Sequence, residues 1–270
     1  MKITFIGGGN MAAALIGGMQ KQGFSAANIQ VVEPLAAARE RLAETFGARC
    51  LPVVDTAALD CEVLVLAVKP QHMREVLAPL AGQLRGQLVV SIAAGLRLPD
   101  LSRWLGGYRR LVRTMPNTPA MIGAGITALC ADTGVTADDR AKAEKILGAV
   151  GHTLWVEHEA EMDAVTAISG SGPAYVFYFI EALEAAARDL GFSADAARLL
   201  SMTTFLGAAR LAESSAEPVS LLRERVTSKG GTTEAALASF AADGINAAIR
   251  RGAQAAAKRS HELGEQLGKD

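Results

Sequence analysis

Residues 226 to 234, Val-Thr-Ser-Lys-Gly-Gly-Thr-Thr-Glu, gather four hydroxyl groups around two adjacent glycines. Gly230 and Gly231 open backbone conformations closed to other residues and let N–H groups approach a ligand. The apolar spacing on either side is helical, so the stretch reads as a loop between helices. Thr232 or Thr233 is placed to cap the second helix, whose first amides attract anions. Together with Ser228 and Thr227, these groups suit the grip of a small carboxylate or phosphate. A glycine-broken helix junction capped by threonine has the same spelling, and spacing alone does not separate the two.

A second constellation opens the chain. Lys2 to Ile6 reads as a short buried strand, Gly7-Gly-Gly-Asn-Met-Ala12 follows, and a helical pattern runs to about Gln22. This is the G-x-G-x-x-A form of the dinucleotide fingerprint, between a strand and a helix as it must be. Gly7 permits the tight turn, Gly9 lets the backbone near a pyrophosphate, and Ala12 lets the helix pack close. Asn10 and Met11 lie in the first helical turn, whose positive end faces the anion. Residues 29 to 33 read as the next strand. Glu33 ends it about 20 residues past the glycines, where an acid binds the adenine-ribose 2′-hydroxyl. A solvated acid at a strand end is the plain alternative. Arg39 and Arg41, on the following helix, are the cations that could reach a 2′-phosphate.

The elements that position these groups follow from periodicity. Residues 63 to 68 and 88 to 93 are continuous apolar runs, as expected of parallel strands buried on both faces. Lys69 and Pro70 end the first, at the carboxyl edge where open α/β sheets bind ligands. Ala93, Ala94 and Gly95 end the second and are small enough for a nicotinamide ring to lie close. Residues 108 to 115 read as a further strand. Met115-Pro-Asn-Thr-Pro119 is extended by its prolines, with Asn117 and Thr118 offering hydrogen bonds. Residues 126 to 131 and 153 to 157 read as edge strands around a helix from 136 to 150.

Beyond residue 158 strand signals stop and apolar residues recur at helical spacing. A helix over 161 to 168 is expected to break at Gly170-Ser-Gly-Pro173. The next, 174 to 190, carries aromatics on nearly every side and should be buried all round. Gly191 stops it. Helices follow over 195 to 213, 219 to 226, 232 to 242 and 243 to 264. The reading is α/β: an N-terminal Rossmann-type doubly wound sheet over residues 1–157, then an all-helical domain over 158–270.

Composition narrows the function. Hydrophobic residues make up 50% of 270, enough for a sizeable core, and the net charge is −1. No basic patch points to nucleic acid or to a membrane surface. Cys50, Cys61 and Cys130 are widely spaced, which suits a reducing compartment and neither a disulfide framework nor a metal site. No apolar run is long enough for a transmembrane helix, and a cytoplasmic protein is expected.

The loop Val226 to Thr233 closely resembles the signature loop of the pyrroline-5-carboxylate reductases. Met115-Pro-Asn-Thr-Pro119 and Ser169-Gly-Ser-Gly-Pro-Ala-Tyr175 resemble that family too, in its order, from about residue 1 to about 260. The resemblance implies reduction of 1-pyrroline-5-carboxylate to proline with NAD(P)H. It implies that Gly231 and Thr232 amides with Ser228 hold the substrate carboxylate, helped by Gly230 and Asn117, and that the Thr233 hydroxyl bonds the ring nitrogen. It places Ala67, Val68, Lys69 and Pro70 along the ribose and nicotinamide. Many members use NADPH, with small or basic residues where Glu33 stands, so NADH is open as well. Lys229 stands where some members have proline. The helical half implies a homodimer, in some members built into larger rings.

The residues agree with imine chemistry. Reduction of a ketone needs a proton donor of matched pKa, and no histidine or carboxylate pair is placed for it. A cyclic imine is protonated on nitrogen before binding, so positioning and one hydrogen-bonding group suffice. The rival readings are a Rossmann-plus-helical reductase of hydroxy or keto acids, and a non-catalytic dinucleotide-binding protein. The first wants a catalytic lysine on a C-terminal helix, and none is well placed. The second has no need of a hydroxyl-rich loop.

Overall fold

The computed structural model describes residues 1–269. The chain forms two compact units: Met1–Ser171 with Ala256–Asp270, and Gly172–Ala255. The first unit runs on past the last strand to Ser171, because the segment after that strand packs with the sheet. Met162 is fully buried in the core on one sheet face.

The first unit is an eight-stranded sheet in the order β3-β2-β1-β4-β5-β6-β7-β8. The strands are β1 Ile3–Ile6, β2 Ile29–Val32, β3 Arg49–Leu51, β4 Val63–Leu66, β5 Leu88–Ser91, β6 Leu111–Met115, β7 Gly125–Ala131 and β8 Gly151–Trp155. Its helices are α1 Asn10–Lys21, α2 Ala36–Phe46, α3 Met73–Leu77, α4 Leu98–Trp104, α5 Ala137–Leu147 and α6 Glu161–Val165. The first six strands are parallel and take the order 3-2-1-4-5-6 of a dinucleotide-binding sheet.

Every residue of β1, β4 and β5 is buried. Alternation sorts them to two faces. Ile3, Phe5, Val63, Val65, Leu88 and Val90 meet α1, α2 and α5. Ile6, Leu64, Leu66 and Val89 meet α3 and α4. Each fully buried aliphatic side chain contributes about 1.5–3 kcal/mol, so strands apolar at every position are what a sheet covered on both faces requires.

One expectation changes in the sheet. The run 126 to 131 is not an edge: β7 lies between β6 and β8 and is antiparallel to β6. The short link from Met115 to Gly125 turns back directly, without the crossover a parallel neighbour needs. β8 is the edge strand at this end of the sheet, and its burial alternates accordingly. The short strand β3 and the helix α4 carry little periodicity and went unread.

As expected, the helical run that begins at Glu161 ends at Gly170, and Ser171 forms a bend before the next helix starts at Gly172. Ser171 N–H donates to Thr166 O at 2.8 Å, five residues back, which makes residues Thr166–Gly170 a π turn between α6 and the next helix. Pro173, lacking an N–H, then falls in the first turn of that helix, where none is needed. The Ser169 carbonyl, which a donor at position 173 would have bonded, accepts instead from Asn117 Nδ2 at 3.1 Å.

The second unit comprises α7 Gly172–Asp189, α8 Ala194–Glu213, α9 Val219–Arg225, α10 Thr232–Ala242 and the start of α11 Ile245–Leu267, whose end belongs to the first unit. Gly191, at φ +96°, follows α7 as expected of a left-handed stop. The expectation that the 174–190 helix is buried all round is corrected. Phe177 is 64% and Tyr178 68% exposed, and Ile180 is the buried residue of α7. The few helices of one chain's second unit leave this apolar face open.

A buried ion pair ties the start of β6 to the start of α5. The Asp139 carboxylate, fully buried, accepts from Arg110 Nη2 at 2.6 Å and Nε at 3.1 Å, and from Thr136 N–H at 3.1 Å. Thr136 Oγ1 in turn caps the helix by accepting from Asp139 N–H. Burial pushes the Asp139 carboxyl up, but the bonds from Arg110 and Thr136 outweigh it and hold the group below its ordinary range. Such a depressed carboxyl stabilises the fold above its unfolded pKa of about 3.9 and loses that contribution as pH falls through the folded value. Asp139→Ala, which strands Arg110, should cost about 2–4 kcal/mol at pH 7 by denaturant midpoint. The gap to wild type should begin to shrink below about pH 4; a gap unchanged down to pH 3 contradicts this.

Candidate active site

The turn after β1 is shaped by contact. Gly7 sits at φ +100°, and a Cβ there would lie 2.6 Å from the Ala67 carbonyl oxygen. The Gly7 N–H donates to Val32 O, and Ala67 N–H donates to Ile6 O, both at 2.8 Å, so neighbouring strands brace both sides of the turn. Only glycine fits this backbone in this space. Gly9 is the residue before α1, without a side-chain cap, and a Cβ on it would point into open space. The first bond closing the helix is Ala13 N–H to Gly9 O at 2.9 Å. The amides of Asn10, Met11 and Ala12 therefore precede the ladder and stand open to an anion. Ala12 itself is fully buried against the sheet. The residues present fit a dinucleotide: a crowded glycine, an open glycine, a bare helix N-terminus and a small buried residue, in that order.

Gly8 carries information the fingerprint reading passed over. Its N–H donates to Glu33 Oε2 at 3.0 Å, and a Cβ on it would meet the buried Leu42 side chain at 2.4 Å. Glu33 Oε1 accepts from Leu35 N–H at 3.0 Å. The carboxylate is thus held at the lip of the glycine turn. Arg39 Nη1 donates to the carbonyls of Glu33 and Pro34 at 2.8 and 2.7 Å, so that guanidinium is engaged with backbone. Arg41 is exposed.

The ends of β4 and β5 fall on the same sheet edge as Gly7, since Ile6 pairs with Leu66 and Leu66 with Ser91. Ala67 and Val68 are half-buried there, Lys69 is exposed, and Pro70 opens a short 3₁₀ turn to His72. Ala93 is buried and Ala94 exposed. Gly95, buried at φ +78°, leaves room for Leu267, which a Cβ would approach to 3.0 Å. Asn117 is spent on backbone: Nδ2 donates to Ser169 O, and Oδ1 accepts from Ile126 N–H at 3.0 Å. It fixes the link between β6 and β7 to the π turn.

The hydroxyl-rich loop belongs to the second unit. Gly231 N–H donates to Ser228 O at 3.0 Å, closing a turn with Gly230 at φ +71°. The residue that precedes α10 is Gly231, in extended conformation and without a side-chain cap. Thr232 and Thr233 are the first helical residues and not its caps, because the glycine already takes the capping geometry. The first helical bond is Ala235 N–H to Gly231 O. The amides of Thr232 and Thr233 thus lie ahead of the ladder and are open, whereas the Gly231 amide is taken by the turn. Ser228 is exposed and Thr233 half-buried, and Ser228 Oγ lies where a Cβ on Gly231 would come to 2.5 Å. Gly230 donates its N–H to the Glu234 carboxylate at 2.6 Å, a contact sequence reasoning missed. Among the four histidines none stands in this loop.

Comparison with known proteins agrees along the whole chain. A family model described as pyrroline-5-carboxylate reductase dimerisation matches residues 159–263. One described as NADP oxidoreductase coenzyme F420-dependent matches residues 2–95. A pyrroline-5-carboxylate reductase of Pseudomonas aeruginosa is 47% identical over 268 residues, 99% of this chain and 98% of that protein. Among solved structures, a pyrroline-5-carboxylate reductase from Coxiella burnetii superposes with a TM-score of 0.92 at 39% identity, covering 97% of this chain and 98% of that one. A Plasmodium falciparum pyrroline carboxylate reductase with NADP bound gives 0.86 at 29% identity, covering 98% of each. By its glycine turn, its hydroxyl-rich loop and its likeness to these proteins from end to end, the chain belongs to the pyrroline-5-carboxylate reductase family.

Proposed function

We propose how this chain's residues divide the work of reducing the imine of 1-pyrroline-5-carboxylate to L-proline. The observation that carries the reading is the pair of open helix N-termini, one behind Gly9 and one behind Gly231. Residues 1–157 serve the cofactor, and residues 158–270 serve the substrate and the assembly of a homodimer, with rings of dimers as the larger form. The protein works in the cytoplasm.

The amides of Asn10, Met11 and Ala12 take the pyrophosphate, with Gly7 and Gly9 giving room. Ala67, Val68, Lys69 and Pro70 run along the ribose and nicotinamide, and Ala93, Ala94 and Gly95 lie where bulk would obstruct the ring. When bound, the reduced nicotinamide supplies the hydride. In the loop, the amides of Thr232 and Thr233 and the Ser228 hydroxyl hold the substrate carboxylate. The Gly231 amide, engaged with Ser228 O, supports the turn instead. Asn117 acts through the backbone it braces and not by touching substrate. The Thr233 hydroxyl accepts from the N–H of the protonated ring nitrogen. The imine arrives protonated, so positioning and this one contact replace a dedicated acid.

Glu33 bears on which dinucleotide is used. Its carboxylate, held by the Gly8 and Leu35 amides, suits a ribose 2′-hydroxyl and repels a 2′-phosphate, and Arg39 is occupied elsewhere. NADH is therefore a competent reductant here, beside the NADPH the family resemblance implies.

Two substitutions test this. Thr233→Ala should lower kcat for the imine about ten- to hundredfold, the effect of one bond worth about 1–3 kcal/mol in the transition state, with cofactor affinity little changed. An unchanged kcat/KM removes Thr233 from the site. Glu33→Ser should raise the ratio of NADPH to NADH efficiency about fivefold or more, since removing a like charge is worth roughly 1 kcal/mol or more at a part-exposed site. A ratio unmoved or lowered in steady-state kinetics means Glu33 does not face the ribose.

A further inference from the structure

The loop before α10 is held by two contacts of different kinds. The first is the turn itself, Ser228 to Gly231, closed by Gly231 N–H to Ser228 O at 3.0 Å. Gly230 is its third residue, at φ +71°, and no non-glycine residue among the described ones has a positive φ. Lys229, the second residue, therefore has a negative φ, and the turn is type II. Proline is the residue best suited to that second position, because its ring presets φ near −65° and leaves the turn fewer conformations to lose. Lys229, which stands where some family members have proline, imposes no such limit.

The second contact is made by Glu234. It is the third residue of α10 and reaches back past the helix start, accepting from Gly230 N–H at 2.6 Å. This is the central amide of the turn, which the turn's own closing bond leaves unused. A carboxylate on an amide makes a charge-assisted bond, roughly twice as strong as a neutral one. It differs from a capping box, in which a third-position glutamate takes the N-cap amide: here the N-cap amide of Gly231 is spent on the turn, and Glu234 takes the amide one residue earlier. Gly231 has no side chain to cap the helix in return. Glu234 is thus the one side chain tied to the turn through a hydrogen bond among the described residues, and it grips the residue whose left-handed conformation defines the turn's shape.

We propose that Glu234 is a positioning residue for the reductase. By tethering Gly230 N–H it holds the Ser228 to Gly231 turn in the form that presents the Ser228 hydroxyl and the first α10 amides to the substrate carboxylate, supplying the rigidity that Lys229 lacks. The inference rests on the reading of this loop as the carboxylate site. A glutamate that only stabilised α10 would alter thermal stability and leave substrate recognition alone. A positioning glutamate alters recognition of the anionic substrate and is replaceable by a proline at 229.

The test is steady-state kinetics on the full-length protein and variants, varying pyrroline-5-carboxylate at saturating cofactor and the reverse. Glu234→Ala should raise KM for the imine about five- to tenfold, the loss of one such bond, while KM for the cofactor stays at its wild-type value. Glu234→Gln, which keeps an acceptor at the same reach, should recover most of that loss. Adding Lys229→Pro to Glu234→Ala should recover most of it as well. If the alanine variant does not fold, Glu234→Asp, one methylene too short, carries the same expectation. Ser228→Ala separates the two levels of the argument. If it raises KM for the imine while the Glu234 variants do not, or if Lys229→Pro brings no recovery, the positioning role is overturned and the loop reading stands. If the Ser228 and Glu234 variants all keep wild-type KM, both are overturned.

Discussion

The first unit is built around a place with no room for a side chain. At Gly7 the chain leaves β1 in a left-handed conformation, with the Ala67 carbonyl where a Cβ would be. That close approach keeps β1 and β4 in register to their ends, at the point where strand order reverses, and it sends α1 back across the sheet. The bare amides of α1 then face outward over the sheet edge, and the electrostatics of an anion site follow from backbone alone. Gly8 extends the same logic by one residue: only without a side chain can it pass Leu42 and offer its N–H to Glu33. Two consecutive glycines thus set both the bare start of α1 and the place of the Glu33 carboxylate.

The second unit solves a similar problem with different means. Its loop also ends in a glycine that precedes a helix and leaves the first amides open. Here no neighbouring strand braces the turn, and bracing falls to the turn's own bond and to Glu234. The helices of this unit expose Phe177, Tyr178, Leu199 and Leu206, apolar side chains left uncovered by their own chain. The match of this half to a dimerisation model gives that surface its reason.

Much of this was legible in the sequence, and the failures are physical. β1, β4 and β5 were read correctly because strands covered on both faces must be apolar throughout, and that signal survives in short runs. The fingerprint was readable because sterics leave glycine no substitute at Gly7. The antiparallel turn into β7 was missed because burial spells the same pattern in either direction. The break before Pro173 is legible in its glycines and proline, but the π turn that leads into it is not, because Gly and Pro mark the ends of helices and changes of winding alike. The α7 helix reads as buried because an exposed apolar face is spelled like one covered by the same chain. Threonine was read as the cap of α10 by side-chain preference, but Gly231 met the backbone requirement, and the Glu234 tether depends on a reach that spacing alone does not reveal.

We propose that the glycine turn behind β1 and the hydroxyl-rich loop before α10 act together to reduce a cyclic imine. The most direct measurement is the initial rate at which the purified protein oxidises NADH and NADPH on addition of 1-pyrroline-5-carboxylate, with proline measured as product. Substrate-dependent oxidation of the dinucleotide matched mole for mole by proline is the predicted result. No substrate-dependent oxidation of either dinucleotide, or oxidation without proline, would contradict it.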